Sequence, residues 1–124
     1  MSRDGFLSPH FHEDEFSCPC CGLFKSNARL VLALEELRAH CGGQPITVLS
    51  GTRCRGWNGI IGGASRSQHL YGMAADIVVC RLHPVEVAAK AEMVTAFMHG
   101  GIGTYPNNGF IHVDVRNGVA RWDG

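Results

Sequence analysis

Four residues of this 124-residue chain combine metal-ligand chemistry with informative spacing: His69, Asp76, His112 and Asp114. Zinc accepts imidazole nitrogen and carboxylate oxygen, and a catalytic site holds three such ligands while leaving a fourth position to water. His69 and Asp76 are joined by the run Leu70-Tyr71-Gly72-Met73-Ala74-Ala75, whose glycine lets the chain fold one over the other. His112 and Asp114 are two apart in an apolar run, so on a strand they project from the same face. These side chains can converge on one ion. On spacing alone, hydrogen-bonded structural roles beside an apolar strand stand as the alternative. His10, His12, His40, His83 and His99 have no partner at metal spacing and read as surface or capping residues. The run His10-Phe11-His12-Glu13 can in principle bind metal, but termini commonly carry such clusters without function.

Stable elements must hold those groups in place. Residues 27–40 predict a helix, with Leu30, Leu34 and Leu37 on one stripe, Ser26 or Asn27 as cap, and Gly42-Gly43 as terminator. Pro45 to Ser50 reads as a strand, and so do Ala74 to Cys80 and Phe110 to Val115. The Gly-, Ser-, Arg- and Asn-rich stretch 51–72 predicts a long structured loop of the kind that usually carries function. Pro84 opens a second helix running to about Met98, with Val87, Ala91, Val94 and Met98 on one face. Asn117-Gly118 is a hairpin signal that adds Val119 to Trp122 as a further strand. Glycines 62–63 and 100–103 lack the strand–glycine–helix context of a nucleotide loop and read as turns. Two helices on a small antiparallel sheet give an α+β class.

Six cysteines stand at positions 18, 20, 21, 41, 54 and 80. Cys18-Pro19-Cys20-Cys21-Gly22 resembles half a zinc knuckle, but no second paired cluster follows, so packing or a disulfide is the expectation there. In a reducing compartment, free buried thiols are the simpler reading.

Length fits one domain over residues 1–124. With 45% hydrophobic and 18% charged residues, the chain is neither disordered nor fibrous nor a coiled coil. Eleven basic residues balance eleven acidic ones, which leaves no electrostatic footprint for nucleic acid. No apolar run is long enough to insert into a membrane. The N-terminus shows no secretory signal pattern, so synthesis in the cytoplasm is expected, or export if a leader has been removed.

The pattern Ser67-x-His69-x-x-Gly72-x-Ala74-x-Asp76, followed by His112-x-Asp114, resembles the zinc D-Ala-D-Ala carboxypeptidase family, peptidase family M15, and its compact phage and prophage members in particular. Phe16-x-Cys18, Ser50-Gly51-Thr52-Arg53, Gly62-Gly63-Ala64, Gly101-Ile102-Gly103-x-Tyr105-Pro106, Gly109 to Arg116 and Arg121-Trp122 extend the resemblance from about residue 8 to 122.

The resemblance implies a hedgehog/DD-peptidase fold and Zn²⁺ held by His69, Asp76 and His112. It implies hydrolysis of peptidoglycan peptides by metal-activated water, as a carboxypeptidase or an endopeptidase, by a monomer acting at the cell wall in the manner of a phage lysin. Arg53 matches an arginine beside the metal, suited to a developing oxyanion or a substrate carboxylate. Ser67 matches a residue that holds substrate or frames the ligand loop, with ordinary loop capping as its alternative. Many relatives carry a catalytic carboxylate where this chain has Gly109, and some carry a second histidine where it has Phe110. Asp114 is the substitute general base in this reading; its alternative is a carboxylate that orients His112 or Arg53. Gly109 keeps open a non-catalytic, zinc-bearing binding module of the same fold. A metal-free, disulfide-stabilised wall-binding fragment is a third reading.

Overall fold

The computed structural model describes residues 5–25, 27–63 and 67–124. Ser26, offered as a helix cap, and residues 64–66 of the sequence pattern lie outside them. A two-stranded ribbon, β1 (Phe6–Ser8) and β2 (Phe11–His12), leads to a short 3-10 turn capped by His12. Helix α1 (Ala28–His40) follows, with the Asn27 side chain accepting the Leu30 N–H at 3.1 Å. Its Leu30, Val31, Ala33, Leu34 and Leu37 are buried, and Gly42 and Gly43 end it in the left-handed conformation.

Next come β3 (Ile46–Ser50), α2 (Arg55–Ile60), β4 (Ala74–Val79), α3 (Pro84–Ala91), α4 (Thr95–Met98), β5 (Gly101–Tyr105), β6 (Phe110–Asp114) and β7 (Ala120–Asp123). The main sheet has five strands in the order β3-β4-β6-β5-β7. Alternation sends Ala75, Ile77, Ile102, Ile111 and Val113 to the face covered by α1, α3 and α4, where Leu34, Leu37, Val94 and Phe97 complete the core. The opposite face carries the polar residues of β4 and β6.

The α+β class stands, and four local expectations change. The segment 84–98 is two helices: 3-10-type bonds from Met93 and Val94 to Lys90 and Ala91 tighten the end of α3, and Val94 turns extended. The break keeps both Val94 and Phe97 fully buried. The glycine-rich stretch 100–109 contains a strand, β5, rather than only turns. Asn117-Gly118 does not close a hairpin, because β6 already has β4 and β5 on its two edges. β7 instead joins the free edge of β5 in parallel, pinned by Arg121, which donates to both Glu92 oxygens at 2.7 and 2.8 Å. The fourth change concerns the thiols: all six are free, as in the reading for a reducing compartment, but Cys20, Cys21 and Cys80 are exposed rather than buried, and Cys54, apart from the others in sequence, packs against Cys20. Within 51–72, the described residues hold α2 and a 3-10 turn over Gln68–Tyr71. No helix among the described residues is long and apolar enough to cross a membrane.

Candidate metal centre and cleft

Strand register builds most of the site. Ser50, Asp76, His112, Gly103 and Trp122 stand opposite one another across β3, β4, β6, β5 and β7, in one row on one face. Gly103 makes the row possible, because a Cβ there would collide with the Trp122 ring, which lies over it and reaches His112 at 4.9 Å between centroids. The same need for close approach explains why β5 is poorly marked by its sequence.

His69 arrives from the 3-10 turn. Ser67 Oγ accepts the His69 N–H at 3.2 Å, and Gly72 ends the turn with φ 69°. The Gly51 carbonyl can only accept, so His69 Nδ1 carries the proton in the 2.7 Å bond between them and Nε2 presents a lone pair. His112 is fixed the other way round. Its Nε2–H donates to Asp114 Oδ2 at 2.7 Å, which leaves Nδ1 as the free lone pair. Both lone pairs face Asp76 Oδ1, at 3.2 and 3.1 Å.

Three acceptors thus converge in a buried pocket with no hydrogen between them when both imidazoles are neutral. That arrangement is unfavourable by itself and is resolved by a cation. His69 Nε2, Asp76 Oδ1 and His112 Nδ1 therefore fit a zinc ion in donor type, tautomer and mutual approach. Burial favours the neutral form of Asp76, but the adjacent His112 and His69 rings, which donate to it whenever they carry a second proton, outweigh it and hold the carboxyl well below the usual range in the metal-free site. Burial likewise opposes protonation of His112, yet Asp114 and Asp76 outweigh it and raise its pKa.

Arg53 secures the other carboxylate oxygen, donating from Nη2 to Asp76 Oδ2 at 3.0 Å. Its Nε and Nη1 donate to Ser50 Oγ and Asn58 Oδ1, so three of its N–H groups are committed among the described residues. A guanidinium has five. Around the ligands lies an open cleft of about 460 Å³, walled by Arg53, Ser67, Tyr105, Phe110, Arg116 and Trp122. Tyr105 and Phe110 stack at 4.6 Å, and the Trp122 indole N–H donates to Tyr105 Oη at 2.7 Å, which leaves the phenol proton free to donate.

The sequence-predicted residues fall into three groups. His69, Asp76 and His112 come together, Arg53 touches Asp76, and Ser67 lines the cleft while capping the His69 turn. Gly109 sits in the turn between β5 and β6 with φ 78°, and Phe110 lines the cleft. Asp114 does not line it. This aspartate is 0% exposed, with Oδ1 accepting from the Gly101 N–H and from Arg116, and Oδ2 accepting from His112 and Arg116. A base for cleft water needs an open oxygen and Asp114 offers none, which corrects the general-base expectation. Burial favours its neutral form, but His112 and Arg116 outweigh this and keep it a carboxylate.

Sequence reasoning gave no role to Arg116, Tyr105 or Trp122. The spacing Asp114-x-Arg116, with the arginine two residues past the last residue of β6, is the signal that could have found the bidentate pair. Arg116 also lies 5.3 Å from the Trp122 ring centroid.

Two relatives match the chain in part. It is 36% identical over 63 residues to a probable peptidoglycan L,D-endopeptidase, MepK, of Haemophilus influenzae, covering 51% of this chain and 32% of that protein. To the zinc D-Ala-D-Ala carboxypeptidase of Streptomyces albus G it is 43% identical over 54 residues, 43% of this chain and 21% of that protein. The chain thus matches about a third and about a fifth of the lengths of these relatives. A family model described as Peptidase M15 matches residues 9–114, a span that contains the three converging ligands, Arg53 and Asp114. Over that span the chain belongs to the peptidase M15 family.

Proposed function

We propose that this chain is a zinc peptidase that hydrolyses peptide bonds in bacterial peptidoglycan. The observation that carries the reading is the convergence of His69 Nε2, Asp76 Oδ1 and His112 Nδ1, with both imidazole tautomers set by partners behind them. A zinc ion held there supplies a Lewis acid for a peptide carbonyl and lowers the pKa of water toward neutrality. The chain's own residues do the rest. Gly51 and Asp114 fix the two imidazoles, and Arg53 fixes Asp76 by its outer oxygen. Asp114 is a positioning residue, held in turn by Arg116.

Arg53 and Tyr105 line the same cleft as the ligand atoms, with N–H and O–H donors not taken up among the described residues, and so suit negative charge developing on a carbonyl oxygen. Tyr105, Phe110 and Trp122 form an apolar wall against which a peptide can lie. The peptidoglycan substrate is inferred from the names of the two relatives, one an endopeptidase and one a carboxypeptidase.

A non-catalytic zinc-bearing module is the second reading. It is favoured by one observation: Asp76, already committed, is the only carboxylate among the described residues of the cleft wall. Incubation with defined muropeptides followed by mass spectrometry separates the two. Catalysis predicts new fragments whose masses identify the bond cut, absent with a His69→Ala, His112→Ala variant. Intact muropeptides that co-elute with the zinc-loaded chain support the binding module and contradict the peptidase.

A further inference from the structure

The fold assembles a second group of potential ligands, far simpler in chemistry than the first. Cys18, Cys20, Cys21 and Cys54 bring four sulfur atoms within 4.8 Å of one another. Sγ of Cys20 lies 3.7 Å from that of Cys18 and 3.3 Å from that of Cys54. A tetrahedral zinc with bonds of about 2.3 Å separates its sulfurs by about 3.8 Å, so these thiols need only small adjustments.

We propose that Cys18, Cys20, Cys21 and Cys54 bind a zinc ion of their own, a structural tetrathiolate site separate from His69, Asp76 and His112. Three features of the surroundings support it. The Cys18–Gly22 turn closes on itself, with Gly22 N–H donating to the Cys18 carbonyl at 2.8 Å and Cys18 N–H to the Leu23 carbonyl at 2.8 Å. Two backbone N–H groups point at sulfur, from Cys54 to Cys18 Sγ at 3.5 Å and from Trp57 to Cys54 Sγ at 3.3 Å, as suits thiolates carrying charge. Finally, apolar packing does not explain the gathering. Free cysteines are ordinarily buried, yet Cys20 and Cys21 are exposed and Cys54 is half-buried.

The site's place in the fold gives it a task. Cys54 directly follows Arg53, which holds Asp76, and stands three residues after Gly51, which holds His69. Phe16 already binds this loop through the Thr52 N–H at 2.7 Å, and its backbone leaves no room for a side chain at Gly51. An ion joining the Cys18–Cys21 turn to Cys54 ties the loop down one residue beyond Arg53. Soft thiolate ligands select zinc over magnesium or calcium.

The test is metal content by plasma mass spectrometry on the full chain, purified under reductant. A His69→Ala, His112→Ala variant should retain one zinc per chain, and adding Cys20→Ser and Cys54→Ser should remove it. Because that variant keeps only Asp76 of the three cleft ligands, the result does not depend on whether the intact cleft holds zinc. Cobalt replacement on the chain with its cysteines intact gives a second reading without any cysteine variant. Near-ultraviolet sulfur-to-cobalt charge-transfer absorption is expected. Four results overturn the proposal: no metal in the histidine variant, iron in place of zinc, no charge-transfer band with cobalt, or an intact mass short by the two hydrogens of a disulfide.

Discussion

The two ligand clusters are built in opposite ways. Asp76 and His112 sit on central strands in register, with buried partners behind them, and His69 joins them from a short capped turn. The four thiols hang on a tight turn and the start of a six-residue helix, with two of them exposed. In the first cluster the fold fixes the ligands before any ion arrives. In the second, the Phe16–Thr52 backbone bond brings the two segments together but leaves the exposed thiols little fixed, so a bound ion would supply their order. The contrast teaches where an ion is chemistry and where it is a fastener, and Arg53, one residue from Cys54 and bonded to Asp76, links the two.

The largest effect separating the clusters is expected at that link. Arg53→Lys keeps a positive charge but cannot span Ser50, Asp76 and Asn58 with one planar group. The variant should fold and lose roughly 10²-fold or more in turnover on muropeptides. Undiminished turnover would reduce Arg53 to scaffolding.

Next in size is the support behind His112. Asp114→Asn removes the carboxylate that takes the His112 N–H and holds Arg116, so zinc affinity should fall about 10–100-fold. Excess zinc should then restore most of the activity. A turnover defect that persists at saturating zinc would return Asp114 to the role of base.

Gly103→Ala probes the strand-built cluster through packing alone. The added methyl meets the Trp122 ring, and overpacking of this kind costs about 1–3 kcal/mol. A lowered Tm is the expected outcome, with Trp122 fluorescence shifted as the ring moves off His112. An unchanged Tm would mean that Trp122 is not held over the row.

The smallest effect lies on the N-terminal arm that leads to the thiols. Glu35 of α1 accepts from Ser8 Oγ and His10, and although partial burial pushes its pKa up, these bonds outweigh it and lower the pKa overall. A lowered folded-state pKa means that the stabilisation is present above the unfolded value of about 4.3 and is lost as pH falls through the folded value. Glu35→Gln should therefore lower Tm slightly near pH 7, by the equivalent of about 1 kcal/mol or less, and the gap should close in acid. A gap that stays constant across this range would remove the charge from the account.

Legibility from the sequence followed the same divide. β4 is a near-continuous run of small and β-branched apolar residues and β6 alternates from Ile111 on, so Asp76 and His112 could be placed on strands, and His69 followed from its glycine-bearing spacing. β5 was hidden by the two glycines that admit Trp122 and the Asp114 carboxylate, a cost in strand propensity paid for close approach. Cys54 was invisible as a partner of Cys18 because only tertiary contact between residues 16–18 and 51–54 brings them together. Asp114 shares a face with His112, as alternation predicts, but its burial depends on Arg116 and the Gly101 backbone, which alternation does not report.

The central claim is that His69, Asp76 and His112 form a zinc centre that hydrolyses peptidoglycan peptides. Its most direct test is to strip the chain with chelator, return zinc in steps, and follow muropeptide cleavage beside a His112→Ala variant. The account predicts that cleavage disappears on chelation, returns with zinc, and stays absent in the variant at every zinc concentration. Cleavage that survives complete removal of metal, or a His112→Ala chain that regains full turnover, would contradict it.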